Sequence, residues 1–163
     1  MIKIRRAELN DLDAITDIYN EAIRNTTATF DTQTKTTAQQ REWFLKHDEK
    51  HPVIVACEGE TTIGWASLSA YSDRCAYAAT AEASLYIAPD WRGKGVGRKL
   101  SEALLKAGKK AGLHTVILRI AEGNEASIKL AESLGFKRVG VMEEVGEKFG
   151  KVLDVTIMQL IYR

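Results

Sequence analysis

The stretch Arg92-Gly93-Lys94-Gly95-Val96-Gly97 carries the residue types and spacing most suited to chemistry in this chain. Three glycines let backbone N–H groups converge on one point with no Cβ in the way. The alternating run Ala83-Ser84-Leu85-Tyr86-Ile87 precedes it, and Leu100, Leu104, Leu105 and Ala107 follow at helical spacing as far as Gly112. The glycines therefore fall at a strand-to-helix turn. The N-terminus of a helix adds partial positive charge, and Arg92, Lys94, Arg98 and Lys99 add full charges. This combination predicts an anion site, with a pyrophosphate-bearing ligand as the leading occupant. Two common phosphate patterns do not fit. A Walker loop ends in Gly-Lys-Ser/Thr, which the sequence lacks. A dinucleotide fingerprint spaces its glycines Gly-x-Gly-x-x-Gly, whereas Gly93, Gly95 and Gly97 alternate and position 98 is arginine.

The elements that must hold this turn read as βααβββαβαββ. Ile2 to Arg5 opens as a strand, and Asn10 is placed to cap a helix running to Ile23. Thr26 to Lys35 reads as a loop. Thr36 or Thr37 with Gln39 or Gln40 forms a capping box for a helix through Leu45. Val53–Cys57 and Thr62–Tyr71 pair around Glu58-Gly59-Glu60. Thr80–Ile87 is the strand before the glycine turn, and the helix after it spans Gly95–Lys110. Thr115–Ala121 reads as a continuous apolar strand, Asn124–Leu134 as a helix ended by Gly135, and Phe136–Val145 and Val152–Ile161 as two last strands. Helices alternating with strands in this way predict an α/β domain with a mixed, mostly antiparallel central sheet.

With 163 residues, one domain over 1–163 is expected. A formal net charge of +1 argues against a nucleic-acid partner. No apolar run has the length of a membrane span and the first residues do not read as a signal peptide, so a cytoplasmic protein without a membrane partner is expected. Cys57 and Cys75 make neither a disulfide framework nor a zinc pattern. His47 and His51 have metal-like spacing but no third ligand nearby, so no metal is expected. Glu143, Glu144 and Glu147 read as a solvated face.

Arg92-x-x-Gly95-x-Gly97 resembles the acetyl-CoA pyrophosphate loop of the GNAT superfamily of N-acetyltransferases. Asn124, ahead of a helix that ends Leu134-Gly135-Phe136, resembles the segment of that superfamily that flanks the CoA arm. Within it the chain is similar to the phosphinothricin / methionine sulfoximine N-acetyltransferase group. Three further segments carry that likeness: Asn20 to Ile23 with Thr26 to Asp31, Tyr71-Ser72-x-Arg74 through Tyr77, Thr80, Glu82, Ser84 and Tyr86, and Glu144 to Gln159. The resemblance implies the GNAT fold, acetyl-CoA as co-substrate, a small amino acid or its analogue as acceptor, and commonly a homodimer.

Transfer to an amine needs a base, because an amino-acid ammonium is protonated at neutral pH. Glu82 is the expected base, or else a solvated glutamate on an edge face. On an alternating strand it shares a face with Thr80, Ser84 and Tyr86. Arg74 is expected to hold the acceptor's acid group, or else to be a surface arginine, with Ser72 beside it in the motif. Phe30 and Tyr77 either wall the acceptor pocket or belong to the core. The resemblance assigns the pantetheine arm to the backbone of Leu85, Tyr86 and Ile87, and the pyrophosphate to Arg92, Gly93, Lys94, Gly95, Val96, Gly97 and Arg98. Asn124 contacts the arm or caps its helix, and Ser133 contacts the arm's outer end or is a plain surface serine.

Two positions depart from the group. Ala131 stands where a tyrosine or histidine is common, leaving no side-chain acid for the departing thiol, and Val152 stands where tryptophan is common. Two rival readings follow from the same residues. One is a GNAT enzyme for a polyamine, an aminoglycoside or a protein N-terminus. The other is a non-catalytic acyl-CoA-binding sensor, which Ala131 favours.

Overall fold

The computed structural model describes residues 1–163, with seven strands and four helices in the predicted order. The strands are β1 (Ile2–Arg6), β2 (Val53–Glu58), β3 (Thr61–Ala70), β4 (Thr80–Ile87), β5 (Thr115–Ala121), β6 (Lys137–Lys148) and β7 (Lys151–Ile161). The helices are α1 (Leu12–Asn25), α2 (Thr37–Leu45), α3 (Val96–Lys110) and α4 (Glu125–Ser133). All strands join one sheet in the order β1-β2-β3-β4-β5-β7-β6. Only β4 and β5 run parallel, because α3 forms the crossover between them. The sheet is therefore mixed and mostly antiparallel, as expected.

Alternation on β4 sorts its side chains between two cores. Ala81, Ala83, Leu85 and Ile87 pack with Val96, Leu100 and Leu104 of α3 and with Val116 and Met158. Tyr86 packs on the opposite face with Trp65 and with Ile15 and Ile18 of α1. Burying each aliphatic side chain of the α3 seam contributes about 1.5–3 kcal/mol, which fixes the helix over the strand that feeds it. The glycine turn between them is held from both sides.

The parallel pairing of β4 with β5 is short. It runs only from Thr80↔Thr115 to Glu82↔Ile117, after which the strands part. From Ala83 to Ile87 the edge of β4 that faces β5 has no strand partner, although its other edge stays paired with β3 as far as Ile87. An unpaired row of backbone N–H and C=O groups in mid-sheet needs a partner from elsewhere.

Local signals hold in some places and fail in others. Thr36 and Gln39 form the capping box of α2. Gly135 (φ +99) ends α4, with its N–H on the Glu132 carbonyl and the Phe136 N–H on the Ala131 carbonyl, the Schellman pattern. Asn10, however, is not the cap of α1. It lies inside a short 3-10 turn, Leu9–Asp11, whose capping box pairs Glu8 with Asp11. The last hairpin is also longer than predicted. The ladder resumes at Gly146↔Leu153 after a bulge in which Glu144 takes φ +52 and donates its N–H to Asp154 Oδ1 at 2.7 Å. The turn is Phe149-Gly150, with both φ values positive (54 and 72), which suits a two-residue hairpin. Finally, β5 is not continuously apolar, since it carries Arg119 on one face.

One ion pair ties β1 to the start of α1. Arg5 donates two hydrogen bonds to the buried Asp11, at 2.8 and 2.9 Å, and the Glu8 N–H donates a third at 2.7 Å. The guanidinium bonds hold the Asp11 carboxyl below the usual carboxylate range, against the opposing effect of burial. A depressed folded-state pKa stabilises the protein above the unfolded carboxylate's range, and the contribution is lost as pH falls through the folded value. Arg5→Ala strands the buried carboxylate and costs about 2 kcal/mol, a figure reduced from the fully buried case because Arg5 is partly exposed. Thermal melts from pH 7 down to pH 3 should show a lower Tm for the variant at neutral pH and a gap that narrows towards pH 3. A gap of constant size would remove Asp11 from the account.

Candidate active site

A cleft of about 430 Å³ opens where β4 and β5 part. Ala83 to Tyr86 form one wall, and Leu118 to Ala121 form the other. Asn124, Leu130 and Ala131 of the α4 segment and Phe30, Met142 and Val145 complete the lining. The walls are mostly apolar, so hydrogen bonds to the free edge of β4 would form away from bulk water. An extended ligand lying in this cleft meets β4 as an added strand would.

The glycine turn lies beside this cleft. Gly93 (φ +74) and Gly95 (φ +85) both take the left-handed conformation, and Gly95 stands directly before the first turn of α3. Helix geometry leaves the first N–H groups of α3 without internal acceptors. The four charges predicted to surround the turn differ in their partners, and Lys99 is exposed with no carboxylate paired to it. Lys94 sits over the Trp91 ring, 5.3 Å from its centroid, and is exposed. Arg98 donates to Ser133 Oγ at 2.6 Å and to Glu102 Oε1 at 3.2 Å, so Ser133 and Arg98 form one unit on the α4 side. Arg92 turns away from the glycines. It donates to Glu21 Oε2 at 2.6 Å and to the Ile87 carbonyl at 3.1 Å, fastening the end of β4 to α1. Asn124 occupies the N-cap position of α4 but makes no capping bond, and it lines the cleft.

On the other face of the sheet, Glu82 lines the cleft at the point where the strands begin to part. The nearest cation is Arg119, whose Nε lies 3.8 Å from Glu82 Oε2. Arg119 also faces the Tyr71 ring at 5.9 Å, and Tyr71 stacks on Tyr77 at 5.2 Å. Tyr86 lines the cleft on the same face of β4 as Glu82. Burial pushes its phenol up to about 12, so it stays protonated at neutral pH.

The segment after α1 folds over this end. Tyr19 donates to Asp31 and shares a hydrogen bond with Thr29 Oγ1 at 3.0 Å. Lys148, 4% exposed, donates to the Thr29 carbonyl at 2.7 Å across 119 residues of sequence. Burial lowers the pKa of that ammonium. Phe30 covers Gly146 so closely that a Cβ there would lie 2.2 Å from its ring. The bond from Lys148 to the residue before Phe30 and the packing of Phe30 on Gly146 together set where Phe30 stands in the cleft.

The structure thus brings together Glu82, Leu85, Tyr86, Phe30 and Asn124 around one cleft, with Gly93 to Arg98 and Ser133 beside it. Ser72 and Arg74 lie in the loop before β4, outside the cleft lining. There the Arg74 N–H donates to Ser72 Oγ at 3.2 Å, and the Arg74 side chain is exposed. Tyr77 is likewise exposed and reaches the cleft only through Tyr71 and Arg119. Three contributors escaped the sequence reading: Arg119, Tyr19 and Lys148. Arg119 had a signal, being the sole charge in an otherwise apolar strand. His47 is bonded to the Trp43 carbonyl and to Ser69 Oγ, and no group of three metal-binding side chains converges anywhere.

A parted β4–β5 pair beside a glycine-rich helix start makes a site for an extended, phosphate-bearing ligand. Residues 13–136 match the Acetyltransferase (GNAT) family, and the chain belongs to it. It is 38% identical over 158 residues to a phosphinothricin N-acetyltransferase of Streptomyces coelicolor, covering 94% of this chain and 92% of that one. An L-methionine sulfoximine/L-methionine sulfone acetyltransferase of Pseudomonas aeruginosa is 40% identical over 160 residues, with 96% and 92% covered. Among solved structures, an acetyltransferase of Salmonella typhimurium with its cofactor acetyl-CoA superposes with a TM-score of 0.96 at 37% identity, covering 99% of this chain and 94% of that one. A phosphinothricin acetyltransferase of Sinorhizobium meliloti in complex with acetyl-CoA gives 0.95 at 34% identity, with 98% and 88% covered. The chain is an acetyl-CoA-dependent N-acetyltransferase.

Proposed function

We propose that this enzyme transfers the acetyl group of acetyl-CoA directly to the amino group of a small amino acid or analogue, of which methionine sulfoximine, methionine sulfone and phosphinothricin are examples. The observation that carries this reading is the position of Glu82, on the cleft wall beside the free backbone edge of β4. The acceptor arrives as an ammonium, and the Glu82 carboxylate takes its proton directly or through a water. The free amine then attacks the thioester carbonyl. Its oxygen gains negative charge and is held by an N–H of the unpaired β4 edge. Collapse expels CoA as a thiolate, and the nitrogen, still carrying one extra proton from the attack, gives it up to solvent to leave the neutral amide. Ala131 offers no acid, so solvent protonates the thiolate, and Glu82 gives its proton to solvent to complete the cycle. The glycine turn from Gly93 to Arg98 holds the pyrophosphate, with Lys94 and Lys99 as cations that no carboxylate pairs, and Asn124 contacts the arm.

The acceptor lies under Phe30 in this reading. Gly146→Ala forces the ring to move, and overpacking of this size raises the acceptor KM about tenfold with little change in the acetyl-CoA KM. Steady-state kinetics with each substrate varied in turn check this. Equal KM values for parent and variant would take Phe30 out of the pocket.

A second copy of the chain and a cytoplasmic setting belong to the same proposal. The outer strand β6 leaves Val139, Val141 and Val145 exposed, and Phe149 lies beyond them at the turn. A homodimer formed on this face covers that apolar surface. No helix is long and apolar enough to cross a membrane.

The test is thiol release from acetyl-CoA against methionine sulfoximine, methionine sulfone, phosphinothricin, spermidine, kanamycin and a short peptide. Turnover confined to the amino-acid analogues supports the proposal. Turnover confined to the cationic amines or the peptide keeps the family and overturns the acceptor class.

A further inference from the structure

We infer that Arg119 of β5 recognises the carboxylate of the acceptor amino acid. The inference rests on the reading above that the acceptor is an α-amino acid. Arg119 stands two residues beyond Ile117, the register partner of Glu82, and therefore on the Glu82 face. Leu118 and Ile120, its neighbours along the strand, point the other way into the core. Its side chain lines the cleft and is 49% exposed. The single ion pair it makes, to Glu82 at 3.8 Å, is longer than a hydrogen bond, so the donors of its guanidinium remain free for a ligand.

Two tyrosines border this guanidinium. Tyr71 lies against it at 5.9 Å, and Tyr77 backs Tyr71 at 5.2 Å. The ring makes no hydrogen bond with the guanidinium, so its N–H fork stays open to take a carboxylate through two parallel bonds. Arg74 has no such setting, because it does not line the cleft.

Charge complementarity identifies the ligand class. Glu82 and Arg119 offer one negative and one positive group, 3.8 Å apart. An α-amino acid carries an ammonium and a carboxylate on the same carbon, so it meets this pair with the signs reversed. The ammonium goes to Glu82 and the carboxylate to Arg119. The carboxylate then replaces Glu82 as the guanidinium's counter-ion, and Glu82 turns to the ammonium whose proton it must take. Binding the acid group and freeing the base become one event. A polyamine has no carboxylate to offer, and its charge is repelled by Arg119.

The experiment measures kcat/KM for L-methionine sulfone and for its carboxamide in the parent enzyme and in Arg119→Ala, Arg119→Gln, Arg119→Lys and Arg74→Ala. Acetyl-CoA binding by calorimetry confirms that each variant is folded. The parent should prefer the acid. Loss of a charge-assisted pair should cut the acid-over-amide ratio roughly 10- to 100-fold in Arg119→Ala and Arg119→Gln, mainly through KM for the acid, with part of it restored in Arg119→Lys. A ratio that survives in both Arg119→Ala and Arg119→Gln, or that collapses only in Arg74→Ala, overturns the inference while leaving the amino-acid acceptor in place. A parent enzyme that acetylates no α-amino acid overturns the inference and the acceptor reading together.

Discussion

Glu82→Gln lowers kcat at neutral pH by about two to three orders of magnitude and leaves acetyl-CoA binding at the parental level. The amide keeps the size and shape of the carboxylate but cannot accept a proton. Glu82 lies at the end of the short β4–β5 pairing, away from the glycine turn, so the cofactor side is untouched. Without the base, the reaction depends on the fraction of acceptor that is already unprotonated. Activity of the variant should therefore rise about tenfold per pH unit until the acceptor amine titrates, closing the gap to the parent in alkali. A pH–rate profile of both proteins checks this. Parental turnover in Glu82→Gln at pH 7 would remove Glu82 from the mechanism.

Gly95→Val raises the acetyl-CoA KM by about 10- to 100-fold, with kcat at saturation changing less. No atom lies within 4 Å of a Cβ built on Gly95, so crowding is not the cause. The cause is the backbone. At φ +85 an L-residue pays about 1–2 kcal/mol, and a β-branched one more. The loop relieves this by rotating, which turns its N–H groups away from the point where they converge. Gly59→Val supplies the control. Gly59 also has positive φ (61) and open space, but it sits in the β2–β3 turn outside the cleft lining. That variant should lose comparable stability in a thermal melt while keeping its acetyl-CoA KM. If both variants raise KM alike, the loop geometry has no specific part in binding.

Much of the site was legible because it is local. The glycine turn, the alternation that puts Glu82 opposite Ala81 and Ala83, and the Thr36–Gln39 box are all patterns within a few residues. Gly135 as a helix stop belongs with them. What escaped is non-local. Arg92 reads as a phosphate ligand, yet Glu21, 71 positions away in sequence, takes its guanidinium. Lys148 reaches Thr29 across 119 positions, and nothing near either residue in sequence signals that bond. The parting of β4 from β5 is likewise a property of two strands separated by α3, so no run of residues announces it. Arg119 was visible as a charge inside an apolar strand, but its value comes from Glu82, Tyr71 and the cleft, which only the fold brings together.

The most direct measurement is mass spectrometry of the small molecules formed when the enzyme is incubated with acetyl-CoA and L-methionine sulfone. The account predicts one new product, the amino acid bearing a single acetyl group on its α-nitrogen, formed in equal amount with free CoA. Free CoA without an acetylated amino acid, or no product although acetyl-CoA binds, would contradict it.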